Sequence, residues 1–176
     1  MAAPEYRRIP GDPDATVEDV RVALRVLPVE LRGRHDGRVV VLGHSAGGHL
    51  ALWAASAAPA SGLVATVALA PVADLAGADR ERLGTGAVEA FLGGSAAARP
   101  DLDPLRAVSA ALPVTLVHGG RDVVVPPSQS HAYAAAHPHA ALVEVPDAGH
   151  YALIDPLSAA WPAVLDVVRA AVGQGR

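Results

Sequence analysis

A run of β-branched residues near the start of the chain leads directly into a glycine-rich turn and then into a helix-forming segment. Residues 38–43 read RVVVLG, residues 43–47 read GHSAG, and the alanine- and leucine-rich segment that follows extends to about Ala57, before Pro59. β-Branched residues favour strands, whereas Ala and Leu favour helices. The segment therefore predicts a buried strand, a tight turn and a helix, which together begin a layered α/β fold.

The same alternation of apolar runs and helix-forming segments continues along the chain. Further strands are predicted at 63–71, 113–120 and 141–150, and helices at 16–31, 86–92, 127–136 and 156–172. The pattern predicts an α/β fold with a mostly parallel sheet of about four to five strands and helices on both faces. For the first helix we predict a capping box formed by Thr16 and Asp19, and a bend near Pro28.

Length and composition indicate one domain over residues 1–176. Hydrophobic residues make up 51% of the chain and aromatic residues only 3%, so the core must be built from Ala, Val and Leu. Residues 74–112 interrupt the alternation with Gly, Ala, Pro and charged residues. We interpret this segment as a cap-like excursion over the carboxyl edge of the sheet that forms a substrate wall. The alternative is a surface loop with one or two short helices.

Charge and composition argue against several classes of partner. The 18 acidic and 14 basic residues are scattered and give a net charge of −4, so no basic run is available to neutralise successive phosphates of a nucleic acid. No stretch reaches the roughly 18 apolar residues of a membrane span, and the N-terminus lacks the apolar region of a secretion signal. We expect a cytoplasmic protein that binds neither nucleic acid nor membranes. The chain has no cysteine, which excludes disulfides and thiolate chemistry.

The sequence Gly43-His44-Ser45-Ala46-Gly47 matches the nucleophile elbow, in which a serine lies on a strained turn between a strand and a helix. Small residues are expected at Gly43 and Gly47 because the turn brings the two backbones close together. A serine hydroxyl is a poor nucleophile near neutral pH. Ser45 therefore needs a base within hydrogen-bonding distance and an acid that orients the base.

Two downstream residues can supply the acid and the base in the chain order that this fold uses. Asp122 follows the predicted strand 113–120, and His150 ends the segment 141–150 that contains the next predicted strand. The carboxyl ends of parallel strands meet at one edge of a sheet, where Ser45 also lies. We therefore predict a Ser45–Asp122–His150 triad. The alternatives are a turn at Ser45 without chemical meaning and a role for Asp122 in turn formation alone.

We interpret the other histidines as structural or solvated. His44 is expected to pack beside the turn, His49 to lie at the back of the site one helical turn after Ser45, and His118 to belong to the turn of Asp122. Solvated positions are expected for His35, His131, His137 and His139. The spacing of the histidines matches no metal-ligand pattern, so we expect neither a metal nor a cofactor.

Three segments resemble one family: GHSAGGHLALWAAS, HGGRDVVVPPSQSHAYAAA and PDAGHYALIDPLSAAW. They look like the alpha/beta-hydrolase superfamily, in particular its kynurenine formamidase-like and small-ester carboxylesterase branch, and the resemblance spans roughly residues 5–172. It implies a serine hydrolase of small esters or arylformamides that works through an acyl-enzyme. Ser45 would be the nucleophile, Asp122 the acid and His150 the base.

The resemblance also implies a segment that has no match in this sequence. Members of the branch carry a His-Gly-Gly-Gly-type loop before the elbow, whose backbone N–H groups form half of the oxyanion hole. We therefore expect a partial alpha/beta-hydrolase fold that lacks the first strands and this loop, with the Ala46 N–H as the remaining donor. Loss of one such donor costs about 100- to 1000-fold in turnover.

A missing strand would leave the strand of residues 38–43 at an exposed sheet edge. We expect either that residues 5–9 pair poorly or that another chain covers this edge, and an exposed edge favours association into a homo-oligomer. Three functions follow from the sequence: a serine hydrolase with a small-molecule ester or amide substrate, a truncated and catalytically impaired protein or binding module, and a peptidase of the prolyl-oligopeptidase type. The peptidase ranks last because no segment predicts a propeller domain.

Overall fold

The computed structural model describes residues 1–58, 60–108 and 110–173. In the described residues the sheet consists of β1 (Val39–His44), β2 (Leu63–Leu69), β3 (Val114–Gly119) and β4 (Ala140–Val145). The strands lie side by side in chain order and all pairs are parallel. Each strand lies within or one residue from a predicted one. The predicted α/β fold with a mostly parallel sheet and flanking helices is therefore confirmed.

Helices connect the strands and follow the last one. The α-helices are α1 (Pro13–Glu30), α2 (Ala46–Ala57), α3 (Leu75–Arg80), α4 (Leu83–Leu92), α5 (Ser128–Ala136) and α6 (Trp161–Gly173). Three single turns of 3-10 helix follow α4, and a fourth spans His150–Ile154. The last helix begins five residues later than predicted, because residues 156–160 form turns, the Ser158 hydroxyl donating to Ala152 O.

Apolar side chains cover both faces of the sheet. On one face, Leu52 of α2 and Tyr133 of α5 pack with Leu116 of β3. On the other face, Val164 of α6 packs with Val67 and Val117. A third cluster joins α1 to α2, α3 and α4 through side chains that include Val17, Trp53 and Leu75. The core is thus built mainly from Ala, Val and Leu, as the composition requires.

The start of α1 differs from the prediction. The helix begins at Pro13, because proline suits the first helical position and the Asp12 side chain caps the helix by accepting from the Ala15 N–H at 3.1 Å. The predicted capping box of Thr16 and Asp19 is therefore wrong. The Thr16 hydroxyl donates to the carbonyl oxygen of residue 7 at 2.6 Å, and Asp19 accepts from the guanidinium of that arginine at 2.7 Å.

β1 is the edge of the described sheet. It pairs with β2 alone, and the side chain of Leu42 is 47% exposed. The expectation that residues 5–9 pair poorly is confirmed, since none of them lies in a strand. Association through this edge stays a prediction.

The segment between β2 and β3 is held in place by a buried carboxylate. Asp103 accepts hydrogen bonds from the backbone N–H groups of Leu75 at 3.0 Å and Ala76 at 3.3 Å, at the N-terminal end of α3. Its side chain is 1% exposed. Residues 74–108 and 110–112 thus form an excursion that contains short helices, as either interpretation of the sequence allows. Their role as a cap stays a prediction.

We expect Asp103→Ala to lower the free energy of unfolding by about 1–3 kcal/mol, because two N–H groups of α3 lose their acceptor. Asp101→Ala is the matched control. Its side chain is 59% exposed and pairs with Arg99, so the loss should stay below about 1 kcal/mol. Urea unfolding of both variants measures the difference, and equal losses would contradict this role of Asp103.

Candidate active site

Ser45 lies on the turn between β1 and α2 in a strained backbone conformation. Its φ is 56° and its ψ is −118°, a region that residues other than glycine rarely adopt. Two backbone hydrogen bonds hold the turn: the Ser45 N–H donates to Leu69 O at 2.9 Å, and the Ser45 carbonyl oxygen accepts from the His49 N–H at 3.0 Å. The local geometry is that of the predicted elbow.

Close packing at the turn requires glycine at positions 43 and 48. A Cβ atom on Gly43 would collide with the carbonyl group of Gly47, and one on Gly48 would lie 2.9 Å from Pro71 Cβ. Apart from its chain neighbours and the backbone of its own helix, a Cβ atom on Gly47 meets no atom of the described residues within 4 Å. The steric reason given for a small residue therefore applies to Gly43 but not to Gly47, and it applies to Gly48, which the pattern did not single out.

Asp122 and His150 are in direct contact. His150 Nδ1 lies 2.6 Å from Asp122 Oδ2, and both side chains are buried. The other carboxylate oxygen accepts from the N–H groups of Val124 at 2.8 Å and Val125 at 2.9 Å, so the loop itself fixes the carboxylate. Because a carboxylate accepts, Nδ1 carries the hydrogen. Nε2 of His150 is then the nitrogen that can accept a proton.

His44 connects the serine turn to the loop of the base. Its Nε2 lies 3.1 Å from the carbonyl oxygen of His150, and the centres of the two rings are 4.4 Å apart. Burial lowers the pKa of His44, which favours its neutral form beside the other ring. Ser45 and His150 are thus brought to the same edge of the sheet. In the part of the chain that the structure describes, the Ser45 hydroxyl makes no side-chain capping bond to α2.

Ala46 is the first residue of α2 and is exposed. No carbonyl group precedes it within the helix, so the helix itself offers no acceptor for its N–H. The N-terminal end of a helix favours negative charge. This N–H is therefore suited to hold an oxyanion formed beside Ser45.

His118 contacts the loop that follows Asp122, where its position in the sequence placed it. It is fully buried, with Nδ1 2.7 Å from Ser130 Oγ and Nε2 2.9 Å from Val125 O. Burial lowers its pKa, so the ring is neutral, with the hydrogen on Nε2 directed to the carbonyl oxygen. The partners Ser130 and Val125 were not predicted, since no local pattern marks them.

The four histidines expected in solvent differ in their exposure. His35, His131 and His139 are exposed, and His131 contacts Glu144 at 2.8 Å. For His137 the expectation is wrong: it is buried, stacks on Tyr133 with ring centres 4.2 Å apart, and has Nε2 3.3 Å from Leu105 O. The packing of the 74–112 excursion against α5 causes this burial.

A cavity of about 300 Å³ lies beside Ala46. Its walls come from residues 6–16, 46–50 and 72–91, and include His49, Leu50, Val72 and Phe91. The position of His49 at the back of the site was expected from the sequence. The cavity was not, because the segments that form its walls are far from one another along the chain. His49 is 4% exposed, and burial lowers its pKa to about 4.

Residues 13–156 match the prolyl oligopeptidase family. The chain belongs to this family. The superfamily that the sequence indicated is confirmed, whereas the kynurenine formamidase-like branch stays a prediction. No curated protein matches the chain.

Solved structures of several hydrolases are similar to this chain. The acetyl ester-xyloside bifunctional hydrolase of Caldicellulosiruptor lactoaceticus is 24% identical, with a TM-score of 0.68 over 90% of this chain and 66% of its own. The esterase Est2 of Thermogutta terrifontis is 22% identical, with a TM-score of 0.68 over 92% of this chain and 67% of its own. A puromycin hydrolase is 29% identical, with a TM-score of 0.64 over 81% of this chain and 23% of its own. The chain thus spans about two thirds of the first two proteins and about a quarter of the third.

Among the described helices, none combines the length and the apolar character that a membrane span requires.

We expect Gly43→Ala to lower the free energy of unfolding by about 1–3 kcal/mol, because the new Cβ overpacks the turn against the Gly47 carbonyl group. Gly47→Ala should be neutral or stabilise by up to about 1 kcal/mol, since alanine favours the helix and has room there. Chemical unfolding of the two variants checks this order, and a larger loss for Gly47→Ala would refute it.

The pKa of His49 predicts a pH dependence of stability. Its pKa falls from the ordinary value of 6.5 to about 4 on folding, so the unfolded chain takes up a proton at higher pH than the folded chain. The free energy of unfolding should therefore fall as the pH drops through this window, by about 2 kcal/mol between pH 8 and pH 5 from this residue. Urea unfolding of wild type and His49→Leu at both pH values isolates the contribution, and an identical pH dependence would contradict it.

Proposed function

We propose that this chain is a serine hydrolase of small carboxylic esters that works through an acyl-enzyme. Ser45 is the nucleophile, His150 the general base and Asp122 the acid that orients it. The observation that carries the proposal is the 2.6 Å contact between His150 Nδ1 and Asp122 at the sheet edge where Ser45 lies on its strained turn. Arylformamides are the second substrate class, because a formamide carbonyl is small and an arylamine, protonated by His150, leaves more readily than an alkylamine.

Each residue has a defined task in the proposed reaction. His150 Nε2 takes the proton of Ser45 Oγ as the oxygen attacks the carbonyl carbon, and Asp122 stabilises the resulting imidazolium. The Ala46 N–H donates to the oxyanion of the tetrahedral intermediate. His150 then returns the proton to the departing alcohol oxygen. In the second half of the reaction, His150 takes a proton from water as the water oxygen attacks the acyl carbon. His150 then returns the proton to Ser45 Oγ as the carboxylic acid leaves.

The oxyanion donor favours esters over peptides as substrates. The Ala46 N–H is the proposed donor, and a second donor is worth about 100- to 1000-fold in turnover. An ester expels an alcohol more readily than a peptide expels an amine. Esters with good leaving groups therefore depend less on a second donor.

A peptidase of the prolyl-oligopeptidase type is the second candidate, favoured by the family match over residues 13–156. Turnover of a p-nitrophenyl ester of a short fatty acid, compared with an aminoacyl 2-naphthylamide, separates the two. A higher kcat/KM for the ester supports the first candidate, and a higher value for the amide supports the second.

Labelling by a fluorophosphonate, read by intact mass, tests the proposed nucleophile. We expect one adduct on wild type, none on Ser45→Ala and an unchanged adduct on the control Ser56→Ala, whose hydroxyl bonds only to carbonyl groups of its own helix. Asp122→Asn should slow labelling by about 10³- to 10⁴-fold, as carboxylate loss does in a serine triad. Asp166→Asn, a surface carboxylate, should label normally. Folded wild-type protein that takes no label would overturn the proposal and support a catalytically impaired binding module.

A further inference from the structure

One ring nitrogen beside the proposed oxyanion site is buried without a hydrogen-bond partner. His49 Nε2 and Thr66 Oγ1 are the buried side-chain polar atoms left unpaired among the described residues. Folded proteins pair nearly all such atoms, because an unpaired one loses its hydration without compensation. His49 differs from Thr66 in that it also lines a cavity.

The hydrogen bond of the other ring nitrogen defines the chemistry of Nε2. Nδ1 lies 3.2 Å from the carbonyl oxygen of Val72, which can only accept, so Nδ1 carries the hydrogen. The ring is neutral at neutral pH, since its pKa is about 4. Nε2 therefore bears a lone pair and is an unused hydrogen-bond acceptor.

Most side chains around the cavity are apolar, and the polar side chains besides His49 are those of Tyr6, Arg8 and Thr16. Leu50, Val72, Val88 and Phe91 contribute to its walls, and the Phe91 ring stands edge-on to His49 with the centres 6.0 Å apart. Its volume of about 300 Å³ corresponds to about ten water-sized groups. A single aromatic ring or a short branched chain fits within such a space.

We propose that His49 determines specificity by accepting a hydrogen bond from a hydroxyl or N–H group carried by an otherwise apolar part of the substrate that occupies this cavity. The inference rests on the proposed function, because the N–H group that would hold the oxyanion belongs to Ala46, and Ala46 lines this cavity. A purely aliphatic or unsubstituted aromatic group would fill the same space but leave Nε2 unpaired. Substrates that bear one donor are then preferred over their donor-free analogues by about tenfold.

Ligand binding to the Ser45→Ala protein tests the site without catalysis. Phenol and fluorobenzene differ little in size, but only phenol donates a hydrogen bond. We expect phenol to bind at least fivefold more tightly, and this preference to disappear in Ser45→Ala/His49→Leu. Equal affinities in the Ser45→Ala protein, survival of the preference in the double variant, or binding of neither ligand would each overturn the proposal.

Val88→Ala in the same background is the matched control. It enlarges the cavity but changes no donor or acceptor, so the affinities should shift while the ratio of phenol to fluorobenzene affinity remains. A ratio that collapses in this variant as well would show that cavity shape, not His49, causes the preference.

The ¹⁵N chemical shift of His49 Nε2 gives a readout that needs no substitution at this residue. Phenol should move the Nε2 resonance in the direction of hydrogen bonding, and fluorobenzene should leave it in place. Saturation with phenol without such a change would overturn the proposal even if His49→Leu fails to fold.

Activity measurements distinguish a failure of this inference from a failure of the proposed function. Wild type should hydrolyse the p-nitrophenyl ester of at least one hydroxyphenylacetate about tenfold faster in kcat/KM than the phenylacetate ester, and His49→Leu should lose this difference. Active enzyme without the preference contradicts the role of His49 alone. If the chain prefers phenol but takes no fluorophosphonate label, the proposed function is contradicted. His49 would then lie in a site that binds ligand without turnover, and its role in substrate selection would be overturned.

Discussion

The close approach of two backbones at one turn is the constraint on which the candidate site depends. The carbonyl group of Gly47 lies where a side chain at Gly43 would begin, so β1 can run directly into α2 only with glycine at position 43. This passage places Ser45 in its strained conformation and leaves the Ala46 N–H at the start of the helix. The proposed nucleophile and the proposed oxyanion donor thus both depend on this packing contact.

The register of the neighbouring strands brings Asp122 and His150 to the same edge of the sheet as this turn. β3 and β4 end opposite each other, with Gly119 paired to Val145, so the loops that follow them lie side by side. Gly119 lets the second loop pass, because a Cβ atom there would meet the carbonyl group of Ala148. Loop amides hold the carboxylate of Asp122, and His44 at the end of β1 contacts the backbone of His150.

The features that local sequence encodes were predictable, and those that depend on tertiary packing were not. Apolar runs and turn residues predicted each strand closely, and the strand ends placed Ser45, Asp122 and His150 at one edge. The predictions for Thr16 and His137 failed because distant segments recruit them: Thr16 bonds to the carbonyl oxygen of residue 7, and His137 is covered by the 74–112 excursion. The cavity beside Ala46 has walls from three separate segments, so no pattern along the chain indicates it.

The decisive measurement is a crystal structure of the wild-type chain after reaction with a fluorophosphonate, because it shows the attacked atom and the oxyanion donor together. We predict phosphorus bonded to Ser45 Oγ, with the phosphoryl oxygen about 3 Å from the Ala46 nitrogen and His150 Nε2 facing the ester oxygens. Phosphorus bonded to another residue, or a phosphoryl oxygen turned away from Ala46, would contradict it.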